Sequence, residues 1–281
     1  MTPLNLLFEA LEENPRLHAP GSAVYRLYKA FARTQIEALF SSPDRIAQEF
    51  GEFGPLSLPY TSMGAINSLD LFGLDELIIF AFYHRNRTRY HRVLDVGANL
   101  GLHSMIMSRC GFEVKAFEPD PRHYELLAAN LTANDIKSVE AIRAAVSTAD
   151  GEAQFVRVLG NTTGSHLAGA KDSYGKREVF TVPTKAVQPL FAWADLAKID
   201  VEGHEKELLL TTTRAGFDHH DIMVEIGSAA NAAAVFEHFN RLGVGMFAQK
   251  TGWQRARSLT DLPTSHRDGS LFLSAKPEMP W

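Results

Sequence analysis

The chain has 281 residues, 45% of them hydrophobic and 22% charged, the balance of a globular chain with a large core and not of a disordered one. A formal charge of −5 argues against tight binding along a phosphate backbone. The single cysteine, Cys110, excludes an internal disulfide and fits a reducing compartment.

The N-terminal stretch MTPLNLLFEALEENP carries glutamates where a secretory signal would carry a basic patch and an apolar run. No signal peptide is expected, and the expected location is cytoplasmic. Residues 1–60 read as a helical extension, with Ser22 capping a helix in which Leu27, Tyr28, Phe31, Ala38 and Leu39 fall near one face. That extension could cover a pocket, form a homodimer contact or only enlarge the core. Prolines and glycines punctuate a looser stretch from Pro43 to Pro59. A helix over Leu71–Asn86 ends in Arg85, Arg87 and Arg89, which suit the negative end of a helix dipole. Its apolar run, Leu77 to Phe82, is too short to span a bilayer.

From Val93 strand and helix alternate, the pattern of a parallel sheet, so residues 61–281 read as one α/β domain. The segment VLDVGANLG, residues 93–101, is a strand that stops in glycines and restarts as a helix at Leu102, Met105 and Ile106. Glycine lets a ligand approach the backbone, and the helix start offers unpaired N–H groups. Gly97 and Gly101 are four apart and Asn99 stands where a dinucleotide loop has its second glycine. Asp95 would repel a pyrophosphate but suits a cationic ligand such as S-adenosyl-L-methionine. A second strand, Glu113–Phe117, ends at Glu118, at the distance beyond the turn expected of a ribose-binding carboxylate. A nicotinamide enzyme and a plain scaffold with acids at its strand mouths are the alternatives.

Asp120 and Pro121 open a helix that stops at Asn134. Strands come next over Val139–Val146 and, after an Asp150-Gly151 turn, Ala153–Val158. Gly160–Lys176 is a long polar loop, Val179–Val182 resumes as strand, and Leu196–Val201 leads through EGHE into a helix. Asp221–Ile226, a helix over Ala229–Leu242, and strands near Val244–Gln249 and Leu271–Ser274 complete the domain.

VLDVGANLG, AFEPDP, Asn130, AVSTADG and LAKIDVEGHE occur in the order found in the FkbM-type methyltransferases, which the chain resembles over about Arg92–Glu225. The resemblance implies the class I methyltransferase fold, Rossmann-like, with a doubly wound, mainly parallel, seven-stranded sheet. It also implies S-adenosylmethionine as methyl donor and O-methylation of a sugar, glycan or natural-product acceptor. On it, Asp95, Gly97, Asn99 and Gly101 are methionine-side contacts, Glu118 holds the ribose, and Pro119 and Ala145 flank the adenine. A non-catalytic scaffold of the same fold and a nucleic-acid methyltransferase are the alternative functions. Against the latter, this chain lacks the Asn-Pro-Pro-Tyr-type turn of base amino-methylases after its fourth main strand.

Ligands of open parallel sheets lie beyond the carboxyl ends of the strands, which selects Asp200, Glu202 and Glu225 as base or acceptor-binding groups. Asp200, Glu202 and His204 alternate, so an extended backbone would place all three on one side. They could also bind a divalent cation, though Gly203 breaks the run and no further ligand is evident, or cap the next helix. No metal site is expected. Asp200 also counts among the donor-side residues. The polar loop holds Asn161, Thr162, Thr163, Ser165, His166 and Lys171, groups that suit a polyhydroxylated acceptor, with His166 a further candidate base.

Overall fold

The computed structural model describes residues 2–171 and 175–281, so positions 172–174 of the expected polar loop lie outside the described residues. Helix α1 (Pro3–Glu13) is capped by Thr2, and α2 (Ala23–Phe40) by Ser22, whose hydroxyl accepts from Tyr25 N–H. The buried stripe of α2 is Tyr25, Ala32, Ile36 and Phe40, whereas Leu27 and Phe31, expected on the inner face, are 65% and 39% exposed. A helix docked along one stripe leaves the flank of a wide apolar arc in water.

Two short strands, β1 (Gln48–Glu49) and β2 (Pro55–Leu56), pair antiparallel. A single 3-10 turn, Ser68–Phe72, is closed by an Asn67/Asp70 capping box and precedes α3 (Leu74–Arg85). Gly73, with ψ 156°, separates the two, so the α-helix starts later than the periodicity suggested. Helix α3 is buried at Leu74 and throughout Leu77–Tyr83, as an all-round apolar helix must be. It packs between α1 and α2 on one side and the main sheet on the other, amid the rings of Phe8, Phe50, Phe53 and Phe80.

Next come β3 (Arg92–Val96), α4 (Leu102–Arg109), β4 (Glu113–Phe117), α5 (Pro121–Ala133) and β5 (Val139–Ile142). The strand expected over Val139–Val146 is divided. After a tight turn at Ala144, β6 (Ala145–Ser147) leaves the main sheet for a second one. That second sheet adds β7 (Gly151–Val158), β8 (His166–Leu167) and β9 (Arg177–Ala186), in the order β6-β9-β7-β8. A helix that the sequence pattern did not signal, α6 (Val187–Trp193), leads to β10 (Leu196–Ile199) and α7 (Glu205–Leu209). Strand β11 (Asp221–Glu225), α8 (Ala229–Leu242), β12 (Gly245–Ala248), β13 (Gln254–Arg255) and β14 (Ser270–Ser274) close the domain.

The main sheet runs β13-β12-β14-β11-β10-β3-β4-β5. β11, β10, β3, β4 and β5 are mutually parallel and β14 enters antiparallel. This is a doubly wound, mainly parallel, seven-stranded α/β sheet with the two-residue β13 added at its edge. Helices α1–α5 cover one face around a core reaching Val93 and Leu196, and α6–α8 cover the other around Ile199, Leu208 and Phe239. Chain order reverses between β3 and β10, and a crevice opens beyond their carboxyl ends, where such sheets bind ligands. Among the described residues no helix is long and apolar enough to cross a membrane.

Candidate active site

The turn after β3 is held by contact between strand ends. Gly97 has φ 85°, and a Cβ there would lie 1.8 Å from the Asp200 carbonyl oxygen, so only glycine lets the tails of β3 and β10 meet. The N–H groups of Gly97 and Ala98 both donate to Phe117 O at 3.0 Å. Asn99, at φ 54°, donates its N–H to Glu118 Oε2 at 2.8 Å. Asp120 N–H reaches Glu118 Oε1 at the same distance. Glu118 is thereby aimed while almost fully buried. Burial, aided by the charges of Asp120 and Asp95, outweighs these two bonds and pushes its carboxyl up to about 8.

A cavity of about 200 Å³ starts here and is walled by Gly97, Asn99, Glu118, Pro119 and Ala145. Two expected donor contacts stand behind that wall. Asp95 is fully buried on the α4 side, where Ser104 Oγ donates to its Oδ2 at 2.6 Å. Gly101, at φ 83°, opens α4 and packs on α5: a Cβ there would touch the Leu127 side chain at 3.0 Å.

Asp200, Glu202 and Glu225 line the same cavity. Between Asp200 and Asp95 lies the ammonium of Lys198, buried in β10, 3.5 Å from Asp200 Oδ2 and 3.8 Å from Asp95 Oδ1. Burial opposes its charge, but Asp200, Asp95, Glu76 and Glu225 outweigh burial and raise its pKa. Glu225 is raised well above the carboxylate range by burial and then by Asp200, Glu76 and Glu202, with Lys198 offsetting part. Glu202 is raised by burial and by Asp200, against an ion pair with Lys171.

The alternation expected of Asp200, Glu202 and His204 needs a correction. Glu202 sits at φ 57° and Gly203 at φ 109°, so the backbone coils after Asp200. His204 turns away from the cavity, its Nε2 3.3 Å from Ser147 Oγ and its pKa lowered by burial. Neither Glu202 nor His204 caps α7 with its side chain; Glu205, its first residue, accepts from the N–H groups of Val201 and Gly203 and ties down the coil before the helix. Among the described residues no three histidine, cysteine, aspartate or glutamate side chains are grouped as a metal site.

From the polar loop, Thr162, Thr163, Ser165 and His166 line the cavity. His166 is buried, bonded through Nδ1 to Gly164 O at 3.0 Å, and burial lowers its pKa. The loop is moored by His123 Nε2 at 2.9 Å from Thr162 Oγ1, and β7 beside it by the buried Arg157–Asp120 ion pair. Four residues at the site were passed over in reading the sequence. Glu76 of α3 lines the cavity and bonds His103 Nε2 at 2.8 Å, and Asp70 and Leu71 reach it from the 3-10 turn. An acid in the first turn of a helix looks like a dipole partner, so Glu76 carried no separate signal. The fourth, Lys198, did carry one, as a charge within a strand otherwise apolar.

The residues present fit S-adenosylmethionine. Buried Asn99 Oδ1 has no hydrogen-bond partner and could accept from an amino group, and each Glu118 oxygen keeps a lone pair for a ribose hydroxyl. The sequence pattern of the methyltransferase FkbM domain matches residues 95–243, just over half of the chain. The hexuronic acid methyltransferase AglP of Haloferax volcanii is 30% identical over 137 residues, 47% of this chain and 54% of that protein. Methyltransferase sdnD of Sordaria araneosa is 38% identical over 77 residues, 25% of this chain and 30% of that protein. The chain thus spans about half or less of the curated relatives it matches. A solved structure, precorrin-6y C5,15-methyltransferase from Geobacter metallireducens GS-15, is 13% identical, with 67% of this chain and 77% of that one covered at a TM-score of 0.39.

Proposed function

The chain belongs to the FkbM methyltransferase family, and on that premise we propose that it is an O-methyltransferase acting on a hydroxyl of a sugar, glycan or natural-product small molecule. The observation that carries this reading is one cavity lined both by Glu118 and Asn99 and by Asp200, Glu202 and Glu225. When bound, S-adenosylmethionine supplies a methyl group on a cationic sulfur. Glu118 would hold its ribose hydroxyls, Asn99 its amino group, and Pro119 with Ala145 the faces of its adenine.

The chain's own residues then have two tasks: to hold an acceptor oxygen in line with that methyl group, and to take its proton. Asp200, which lines the cavity with its Oδ2 3.5 Å from the Lys198 ammonium, would serve the second. Burial and the neighbouring carboxylates raise the pKa of Glu225, which favours a carboxyl able to donate a hydrogen bond to the acceptor. The neutral imidazole of His166 is a second group able to accept a proton. Thr162, Thr163 and Ser165 offer hydroxyls to a polyhydroxylated acceptor. That AglP is named for a hexuronic acid supports a sugar as acceptor.

The test is mass spectrometry of hexoses, hexuronates, oligosaccharides and polyketide alcohols incubated with the purified chain and S-adenosylmethionine. A methyl increment on oxygen is expected. A methyl on nitrogen, or no donor binding by calorimetry, would overturn the reading.

A further inference from the structure

Beside the catalytic cavity lies a larger groove of about 510 Å³, bounded by α2 on one side and by the 3-10 turn and the start of α3 on the other. Its α2 rim carries Arg26, Lys29 and Arg33, all exposed. At 100° per residue these three fall within an arc of about 60°. Like charges three and four residues apart weaken an isolated helix, so helix stability gives no reason for this stripe.

The groove joins the catalytic cavity. Asp70 and Glu76 line both, and a narrower cleft walled by Asp70, Glu76, Gly97, Asn99, Lys198 and Asp200 bridges them. The groove's carboxylates already have partners. Asp70 accepts from Arg33 Nη1 at 2.8 Å and from Asn67 N–H, and Glu76 bonds His103. Asp75 accepts from Tyr25 Oη at 2.8 Å and from Gln249, although Lys29 also favours its charge from a distance. Of the cations, Arg33 also bonds Glu37, and Arg26 gives one N–H to Gly21 O. Neither Arg26 nor Lys29 has a carboxylate partner among the described residues, and Lys29 stands 5.9 Å from the Tyr25 ring centroid.

We propose that this groove binds an anionic group, a carboxylate or a phosphate, carried by the acceptor next to its methylated unit. Guanidinium forks and an ammonium match both anions. The proposal rests on the reading of the adjoining cavity as a methyl-transfer site. It makes the substrate an acidic saccharide, its charge on the α2 rim and its reacting hydroxyl beside Asp200.

Calorimetry on the full chain, with and without S-adenosylhomocysteine, tests it with tetragalacturonate, maltotetraose and a maltotetraose bearing one phosphate monoester. The charged sugars should bind at least about tenfold tighter than maltotetraose, the size of one charge-assisted hydrogen bond, and more weakly as salt is added. Lys29→Glu and Arg26→Glu should each weaken them about tenfold while the Kd for S-adenosylhomocysteine holds, and Lys29→Arg should retain binding. Binding of tetragalacturonate alone assigns a carboxylate, of the phosphorylated sugar alone a phosphate, and of both a general anion site. The proposal fails if neither charged sugar binds, if maltotetraose binds equally well, or if charge reversal changes nothing. Failure of S-adenosylhomocysteine to bind would instead strike the methyl-transfer reading, since the groove is still read on the donor-free chain.

Discussion

Replacing Lys198 with methionine keeps most of the stem and removes one buried charge. The ammonium is 3.8 Å from Asp95 Oδ1, which has no hydrogen-bond partner, and 3.5 Å from Asp200 Oδ2. At an effective dielectric near 20, each contact is worth roughly 4 kcal/mol before the cost of taking the charges out of water. Most of that gain is lost to desolvation, so the intact network adds little net stability. Breaking it is another matter: Asp95 has no exposure at all, and a buried charge stripped of its partner costs about 3–5 kcal/mol. Asp200 is 33% exposed in its side chain and can recover solvation, so the penalty sits on Asp95. Guanidinium unfolding followed by circular dichroism at neutral pH should show Lys198→Met destabilised by about 3–5 kcal/mol. Adding Asp95→Asn should restore about 2 kcal/mol or more, because the orphaned charge is gone. A single variant within about 1 kcal/mol of the parent, or a double variant no more stable than the single, would refute the placement of Lys198 as the site's counter-ion.

Glu118, Asp200 and the two glycines of the turn give the remaining outcomes. Ligand hydroxyls favour the charged form of Glu118, whose pKa stands near 8 in the free chain, so donor binding should expel a proton. Affinity for S-adenosylhomocysteine should climb between about pH 6 and 8 and then level, with binding heats that depend on the buffer; a flat profile in the parent, or an unchanged slope in Glu118→Gln, would contradict this. Without ligand that raised carboxyl makes stability fall as pH rises from its ordinary 4.5 toward about 8, so the advantage of Glu118→Gln over the parent should grow across that window in pH-dependent unfolding. Asp200→Asn should cut turnover by about a hundredfold or more while donor affinity moves by less than about threefold, and full retained turnover would remove Asp200 as base. Gly97→Ala should abolish donor binding and lower Tm by more than about 5 °C, since a Cβ at φ 85° would collide with Asp200 O; Gly101→Ala, strained at φ 83° but with its nearest contact the Leu127 side chain at 3.0 Å, should cost less.

What the residues alone determined about this protein is whatever depends on short stretches of chain. The strand at 92–96, the glycine turn, the Asp120-Pro121 helix start and the helix over Ala229–Leu242 were all readable, because caps, glycines and apolar periodicity act within a few residues. The candidate donor end was largely readable for the same reason, Glu118 coming after its glycine turn at a set distance along one strand–helix–strand unit. The acidic end was readable only as a set of strand-end residues. Tertiary structure decided which of them face one another: the left-handed backbone at Glu202 sends His204 away, and β3 lying against β10 brings Lys198 between Asp95 and Asp200. It also parted β6 from β5 and brought Glu76 and the α2 cations to the crevice from beyond the matched region. Packing of elements far apart in sequence sets these contacts, and no local spacing along the chain encodes them.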